Sequence, residues 1–503
     1  MVLTPEEMAA AEEALFAAGA EAEPLMDRAG RGIAEAAMQF CPKPGIALAF
    51  VGDGHNGGDA LVALRHLREA GWRTGVRIAN SAGTVKPLTD KKLEQLGGTE
   101  FDPDREQLSR GQPLLLIDGL LGIGARGELR PAYRAAADAL NAYRTREGGF
   151  TVAVDIPSGL DGVTGEPYPG AVIADLTCTI TYPKTGLLAD AAANHVGRLA
   201  LVPLDDIVVR EGDGDSNALL ITARELSARH SRRAFDTHKG NAGRVGIIGG
   251  SPGLTGAAVL CATAALRGGA GLVTLFADKD THPTLAAAAP PEIMVRPIGS
   301  LAQVTDFELD ALAIGPGLGN TSDSHLSQIL LNDPRPAVLD ADALNLLARS
   351  DHPAALRDAA GPRLLTPHPG EMARLELAGG LPVEGLTRRE RAERMARDSG
   401  ATILLKGART VVASPGHEPT AFNSTGGPAM ATGGVGDTLT GLIAALAAGG
   451  ASLYDAACIG AWINGRAAEI ALCSGGQSVE SLAASDLTQH FGSAFRDLRS
   501  NVF

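Results

Sequence analysis

The chain has 503 residues, 45% hydrophobic, 20% charged and only 4% aromatic, a composition that predicts roughly two to four soluble domains, each with its own core. A formal charge of −14 without any basic tract argues against a nucleic-acid partner, and no apolar run approaches the ~20 residues of a membrane span. Five scattered cysteines (Cys41, Cys178, Cys261, Cys458, Cys473) lack C-x-x-C spacing, which points to reduced thiols in the cytoplasm rather than disulfides or structural zinc.

The first predicted element is a helix opened by Thr4 as cap, Pro5 in the first turn and Glu7 closing a capping box; this is not the start of a signal peptide. A strand over Ile46–Val51 leads into Gly52-Asp53-Gly54-His55-Asn56-Gly57-Gly58-Asp59 and a helix over 60–70. Gly52, Gly54 and Gly57 satisfy G-x-G-x-x-G, but the next strand, near 74–78, ends in Asn80-Ser81 where a dinucleotide fold wants an acid. A hydride-transfer dehydrogenase is therefore disfavoured, and the loop is expected to hold phosphates through its amides. Strands over 114–117, 151–154 and 177–182 follow, the first ending in Asp118-Gly119-Leu120-Leu121-Gly122 and the second in Asp155-Ile156-Pro157-Ser158-Gly159. Asn56, Asp118 and Ser158 are hard oxygen donors and suit potassium better than zinc, although each Asp is also a candidate helix cap. Lys184, in Tyr182-Pro183-Lys184-Thr185-Gly186, is a candidate to help by charge, but a lysine snorkelling at a strand end is the favoured reading.

Between about Val209 and Ala218 the chain is polar and glycine-rich, the best linker candidate, which places domains at 1–212 and 220–503. Beyond it, strands over Arg244–Ile248, 271–276, Ala311–Ile314, Ala337–Leu339, 363–366, Thr402–Leu405 and 410–413 alternate with Ala/Leu stretches of helical period. That alternation predicts parallel sheets covered by helices, with ligands at the carboxyl ends of the strands. Several motifs fall at those ends: Gly249 to Ala257, Gly315-Pro316-Gly317-Leu318-Gly319, Asp340-Ala341-Asp342, Thr366-Pro367-His368-Pro369-Gly370-Glu371, and Lys406. Asp340 and Asp342 suit either magnesium or helix caps. Gly433-Gly434-Val435-Gly436-Asp437 precedes a helix predicted over 439–448. A surface turn can hold as many glycines, yet bare amides at a helix start also bind anions, with Asp437 placed to take a proton from a hydroxyl. No G-x-x-x-x-G-K-[ST] motif is present, so Lys406 or these amides must serve the phosphates.

Asp27-Arg28-Ala29-Gly30, Gly54 to Asp59, Asp118 to Gly122 and Asp155 to Gly159 resemble the NAD(P)H-hydrate epimerase family over roughly 1–210, departing from its usual pattern at His55 and Ala60. The resemblance implies potassium at Asn56, Asp118 and Ser158, and Asp155 as acid/base. It also implies that His55, Asn56, Gly57, Gly58, Asp59, Gly122, Ile123, Gly124, Ala125, Arg126, Gly127 and Glu128 join Asp155 in binding the hydrated nucleotide. From about 222 onward the Gly434–Asp437 and 366–371 motifs resemble the ribokinase-like superfamily and, within it, the ADP/ATP-dependent NAD(P)H-hydrate dehydratases; Val435 is a departure. This implies nucleotide binding by Lys406, Gly407, Ala408, Arg409, Thr410 and Gly436. It places substrate contacts at Ala257, Gly317, His368 and Asp437, with Asp437 as base.

The expected architecture is thus two α/β domains, Rossmann-like then ribokinase-like. The expected activity is repair of the hydrates NADHX and NADPHX: epimerisation, then dehydration of the S form with ADP or ATP and Mg2+, ADP giving AMP and phosphate. The fused arrangement favours ADP, and a cytoplasmic homo-oligomer is expected. A sugar or vitamin-precursor kinase fused to a non-catalytic nucleotide-binding module is the alternative, but it leaves the 366–371 motif and the first half unexplained.

Overall fold

Runs of Val, Ile, Leu and Ala too short for helices become the strands of two sheets. In the computed structural model the described residues are 1–79, 85–102, 106, 111–209, 212–319, 324–349 and 353–503. Two compact units result, Met1–Leu220 with Phe503, and Ile221–Val502. Asn80 and Ser81, and linker residues Arg210 and Glu211, lie outside the described residues.

The first unit holds β1 (Ile46–Val51), β2 (Arg73–Ile78), β3 (Leu114–Gly119), β4 (Phe150–Val154), β5 (Leu176–Ile180) and β6 (Arg198–Val202). They form one parallel sheet in the order β2-β1-β3-β4-β5-β6. Every residue of β1 and β3 is buried, as expected for strands covered on both faces. The chain leaves β1 for β2 on one side and later adds β3 on the other, so a crevice opens at the carboxyl ends of β1 and β3.

The second sheet contains β7 (Ala218–Ile221), β8 (Arg244–Ile248), β9 (Leu272–Ala277), β10 (Met294–Pro297), β11 (Ala311–Ile314), β12 (Ala337–Leu339), β13 (Arg363–Leu365), β14 (Thr402–Leu405), β15 (Val411–Ala413) and β16 (Thr420–Asn423). Its order is β10-β9-β8-β11-β12-β13-β14-β15-β16-β7. The pairs from β10 to β14 are parallel, but β14–β15 and β15–β16 are antiparallel, which corrects the expectation of wholly parallel sheets. The turns joining these last strands are too short for a parallel crossover. The helices Thr255–Arg267 and Val435–Ala448 cross so closely that a Cβ on Gly441 would collide with the Cys261 carbonyl.

Other local expectations shift. The Asp437 helix begins at Val435 rather than 439, and the glycine stretch at 55–59 is the first turn of helix His55–Glu69 rather than a loop before it. Within it Gly57 N (3.1 Å) and Gly58 N (3.4 Å) donate to the carbonyl of the N-cap residue, Gly54. The N-terminal helix Pro5–Ala17 carries the expected capping box, Glu7 N donating to Thr4 Oγ1 (3.2 Å) and Thr4 N to Glu7 Oε2 (2.7 Å). The stretch expected as linker is pinned to the first unit: Gly214 N donates to Glu7 Oε1 (3.0 Å), and Asp215 bridges to Val2. Among the described residues no helix is long and apolar enough to cross a membrane.

Candidate active sites

In the first unit the ends of β1, β3 and β4 bring Asn56, Asp118 and Ser158 together. The Asp118 carboxylate is wholly buried and accepts from Ser158 Oγ (2.7 Å), Ser158 N (2.8 Å) and Leu120 N (3.2 Å). Burial pushes its carboxyl up to about 6 despite those hydrogen bonds, so a nearby positive charge would stabilise the ionised form. Asn56 Nδ2 donates to Leu121 O (2.9 Å), which leaves Oδ1 beside Gly122. One carboxylate with amide and hydroxyl oxygens is the donor set of a hard monovalent cation. The Asp118 carboxylate therefore braces the Ser158 turn and does not merely cap a helix.

His55 is exposed, whereas Asn56, Gly57, Gly58 and Asp59 are buried in the first helical turn. The loop from Gly122 to Glu128 overhangs the same edge; Arg126 donates to Ile123 O (2.9 Å) and Ala125 O (3.0 Å) and pairs with Glu6. Leu121, Gly122, Pro157 and Ser158 line a small hollow there.

Asp155 stands one residue past β4 at φ 65°, a left-handed conformation uncommon for a side chain with a Cβ. Its Oδ1 accepts from Ile180 N (2.9 Å) and from the Lys184 ammonium. Lys184 is fully buried and also donates to Ile180 O (3.0 Å), which corrects the reading of a snorkelling lysine. Its segment is held down by Leu3, whose N donates to Pro183 O (3.0 Å). Glu12, from the N-terminal helix, was invisible to motif reading: burial and then Asp155 push its carboxyl up to about 7. Burial, Asp155 and Glu12 likewise raise Asp59 well above the usual carboxylate range. A patch of three acids and one ammonium results.

In the second unit Gly434, at φ 92°, supplies the left-handed turn that starts the Val435–Ala448 helix, so the chain approaches with its amides bare. Asp437 follows in the first turn. Burial, then the charges of Asp340 and Asp342, push its carboxyl up to about 7, against the pull of Lys406. Asp340, at the end of β12, is almost fully buried. Burial opposes its charge, but Lys406 Nζ (2.6 Å) and Thr440 Oγ1 (2.7 Å) hold its carboxyl below the usual range. Lys406 directly follows β14, and a methyl on Gly436 would stand 3.1 Å from its Nζ, so the two residues expected to meet the nucleotide are neighbours. Asp340 is thus a partner for Lys406 and not a helix cap; Asp342 Oδ2 accepts from Gly319 N (2.7 Å).

Gly407, Ala408, Arg409 and Thr410 form the turn after β14, with Arg409 at φ 59°. Arg388 braces it by donating to Ala408 O (2.7 Å) and Arg409 O (3.2 Å), a role that motif reading missed. His368 caps the helix Pro369–Ala378: its Nδ1 accepts from Gly370 N (3.0 Å) and Glu371 N (3.4 Å), which leaves Nε2 as the donor. Its side chain is 53% exposed. Gly317 lies against Ala257 at the ends of β11 and the Thr255–Arg267 helix, where a Cβ at 317 would be 3.1 Å from that of Ala257. Four of the five non-glycine residues with positive φ among those described, Asp155, Thr181, Ala341 and Arg409, lie in these site loops. No group of three or more His, Cys, Asp and Glu among the described residues is arranged to hold a metal.

Comparison with known proteins finds relatives for both units. Residues 22–186 match the family described as YjeF-related protein N-terminus, and residues 245–490 match NAD(P)H-hydrate dehydratase. The chain is 37% identical over 479 residues to a bifunctional NAD(P)H-hydrate repair enzyme of Moorella thermoacetica, covering 90% of this chain and 88% of that protein. It is 34% identical to the same-named enzyme of Coxiella burnetii, covering 93% of each. The ADP/ATP-dependent NAD(P)H-hydrate dehydratase of Bacillus subtilis, co-crystallised with ATP and Mg2+, superposes with a TM-score of 0.50 at 30% identity, covering 56% of this chain and all of that one. Two α/β units, the second ribokinase-like, joined in one chain and matched along nearly its whole length, place this protein in the family of bifunctional NAD(P)H-hydrate repair enzymes.

Proposed function

We propose that residues 1–212 interconvert the R and S epimers of NADHX and NADPHX, and that residues 220–503 dehydrate the S epimer with ADP or ATP. The observation that carries this reading is Asp437: a carboxyl poised at about 7, at a glycine-opened helix start beside the Lys406–Asp340 pair. A base near neutrality is matched to removing a hydroxyl proton at physiological pH.

In the dehydration, Asp437 takes the proton of the C6 hydroxyl as its oxygen bonds to the terminal phosphorus. The bond from that phosphorus to the leaving AMP (or ADP) breaks. The C6–O bond then breaks, phosphate leaves with the electron pair, and loss of a C5 proton restores the conjugated dihydronicotinamide. Lys406 and the amides around Gly436 face the transferring charge; Gly407 to Thr410 hold the nucleotide. His368 Nε2, Gly317 and Ala257 orient the hydrated ring. Mg2+ carried on the phosphates would offset their charge.

In the epimerisation, C6 bears both the hydroxyl and the ring nitrogen, so it opens to an aldehyde when the O–H proton moves to that nitrogen. Reclosure on the opposite face gives the other epimer. Asp155 is assigned that proton, with Lys184 fixing its orientation; Asn56, Asp118 and Ser158 would hold potassium, which supplies fixed positive charge next to the substrate's phosphates. None of the five cysteines is in a disulfide, in keeping with a cytoplasmic setting.

The test is recovery of reduced-nicotinamide absorbance from purified R and S hydrates, with ADP and ATP supplied separately. Recovery from both epimers supports both assignments. Phosphorylation of a sugar or vitamin precursor without any recovery would favour the kinase reading.

A further inference from the structure

In the second unit, six strands in the order β10-β9-β8-β11-β12-β13 are parallel, and β8 is the first of them along the chain. Counted from β8 the order is 3-2-1-4-5-6, the doubly wound arrangement whose switch point, between strands 1 and 4, takes dinucleotides. Over the carboxyl ends of β8, β9 and β10 lies a cavity of about 320 Å3, lined by Gly250, Ser251, Phe276, Asp278, Ser300 and Leu318 among others. That volume suits a nucleoside. Its lining borders the Gly317 loop, because Leu318 follows Gly317, and Ser251 N donates to Gly317 O (2.6 Å).

The walls divide by chemistry. Phe276 is buried and fixed edge-on against Phe307 (4.9 Å between centroids), and Ile298 is buried beside it, which gives an apolar slot for a purine. At the opposite wall Asp278 stands one residue past β9, its Oδ1 occupied by Asp280 N (2.8 Å) and Thr281 N (2.9 Å). Oδ2 takes neither bond, so the carboxylate is locked in place with one oxygen available. An acid at the end of the second strand of such a sheet accepts a ribose 2′-hydroxyl and repels a 2′-phosphate.

We propose that this cavity holds the adenosine end of the hydrated dinucleotide and that Asp278 accepts its ribose 2′-hydroxyl, so that the second unit favours the hydrate of NADH over that of NADPH. The inference rests on the dehydratase reading but adds a subsite and a specificity residue to it. A phosphate at the 2′ position would lie against a fixed negative charge, and Asp278→Ser removes the repulsion along with the acceptor geometry.

The experiment has two arms. In the first, kcat/KM is measured for (S)-NADHX and (S)-NADPHX on the full chain and on Asp278→Ser, with the nucleotide saturating. We expect the parent to favour NADHX at least tenfold and the variant to lose at least tenfold of that ratio, mainly through KM. In the second, ADP-ribose and 2′-phospho-ADP-ribose are titrated by calorimetry, with ADP-ribose expected to bind the parent at least tenfold more tightly. Equal use of both hydrates by the parent, or an unchanged ratio in an Asp278→Ser chain that melts at the parental temperature, overturns the subsite alone. Loss of turnover for both hydrates in the parent, with ADP-ribose still bound, overturns the dehydratase reading instead.

Discussion

Asp437 is the residue on which the proposed dehydration turns, and its setting makes two expectations that pull in opposite directions. Asp437→Asn keeps the shape but removes the base, so recovery of NAD(P)H from the S hydrate should fall by about 10²–10⁴ in kcat. In the parent chain kcat/KM should fall tenfold per unit as pH drops below about 7, where the carboxyl takes up its proton. The same shift acts on stability. The folded chain raises this carboxyl above its unfolded value, so the ionised form is disfavoured on folding. Well above pH 7 both states are ionised and the full cost is present, about 4 kcal/mol; below the unfolded value it vanishes. Asp437→Asn should therefore melt higher than the parent at pH 8, and the gap should close as the pH approaches 4. Thermal scans across that range, with assays on the same samples, test both; equal melting at pH 8 would contradict the buried-charge account. Asp155→Asn should abolish epimerisation while the hydrate still binds, as read by calorimetry.

The elements that carry these residues differ in how openly the sequence announced them. β1, β8, β11, β12 and β14 are apolar runs closed by glycine, proline or a polar residue, and such runs can be read directly. β10, at the sheet edge, is half-exposed and ends in Arg296-Pro297; it lacks the plain apolar pattern, and its place in the sheet comes from pairing with β9. The glycine loops revealed which strand ends matter, because bare backbone is a local property. What stayed hidden was tertiary. Glu12 reaches Asp155 from a helix more than a hundred residues away in sequence, and Lys184 is buried only because Asp155 receives it. Arg388 is a further case: nothing in its helix, Arg388–Ser399, marks it as the brace of the 405–409 turn. Arg388→Ala should leave that turn loose, raising KM for ADP and ATP severalfold with a smaller change in kcat. Initial-rate kinetics at varied nucleotide check this, and an unchanged KM would leave Arg388 with only a packing role.

Each unit carries its own sheet, core and ligand edge, so the two activities should be separable within the intact chain. With an equal mixture of R and S hydrates, an Asp155→Asn chain should convert the S half quickly and then stall at the slow rate of spontaneous epimerisation. An Asp437→Asn chain should recover almost nothing on the same timescale, yet still bring either pure epimer to the equilibrium mixture. Mixing the two variants then asks whether the product of one site must pass through solvent. The exposed His55 on the first unit and the half-exposed His368 on the second are reached from outside, and neither site needs a sealed passage for its chemistry. Full recovery should therefore return on mixing, at a rate that climbs with the concentration of the Asp437→Asn chain. Absorbance traces at several mixing ratios measure it. A plateau at one half, unmoved by excess Asp437→Asn protein that still epimerises, would mean that the S hydrate is handed over only within one chain, and the two units would then have to be treated as a single coupled catalyst.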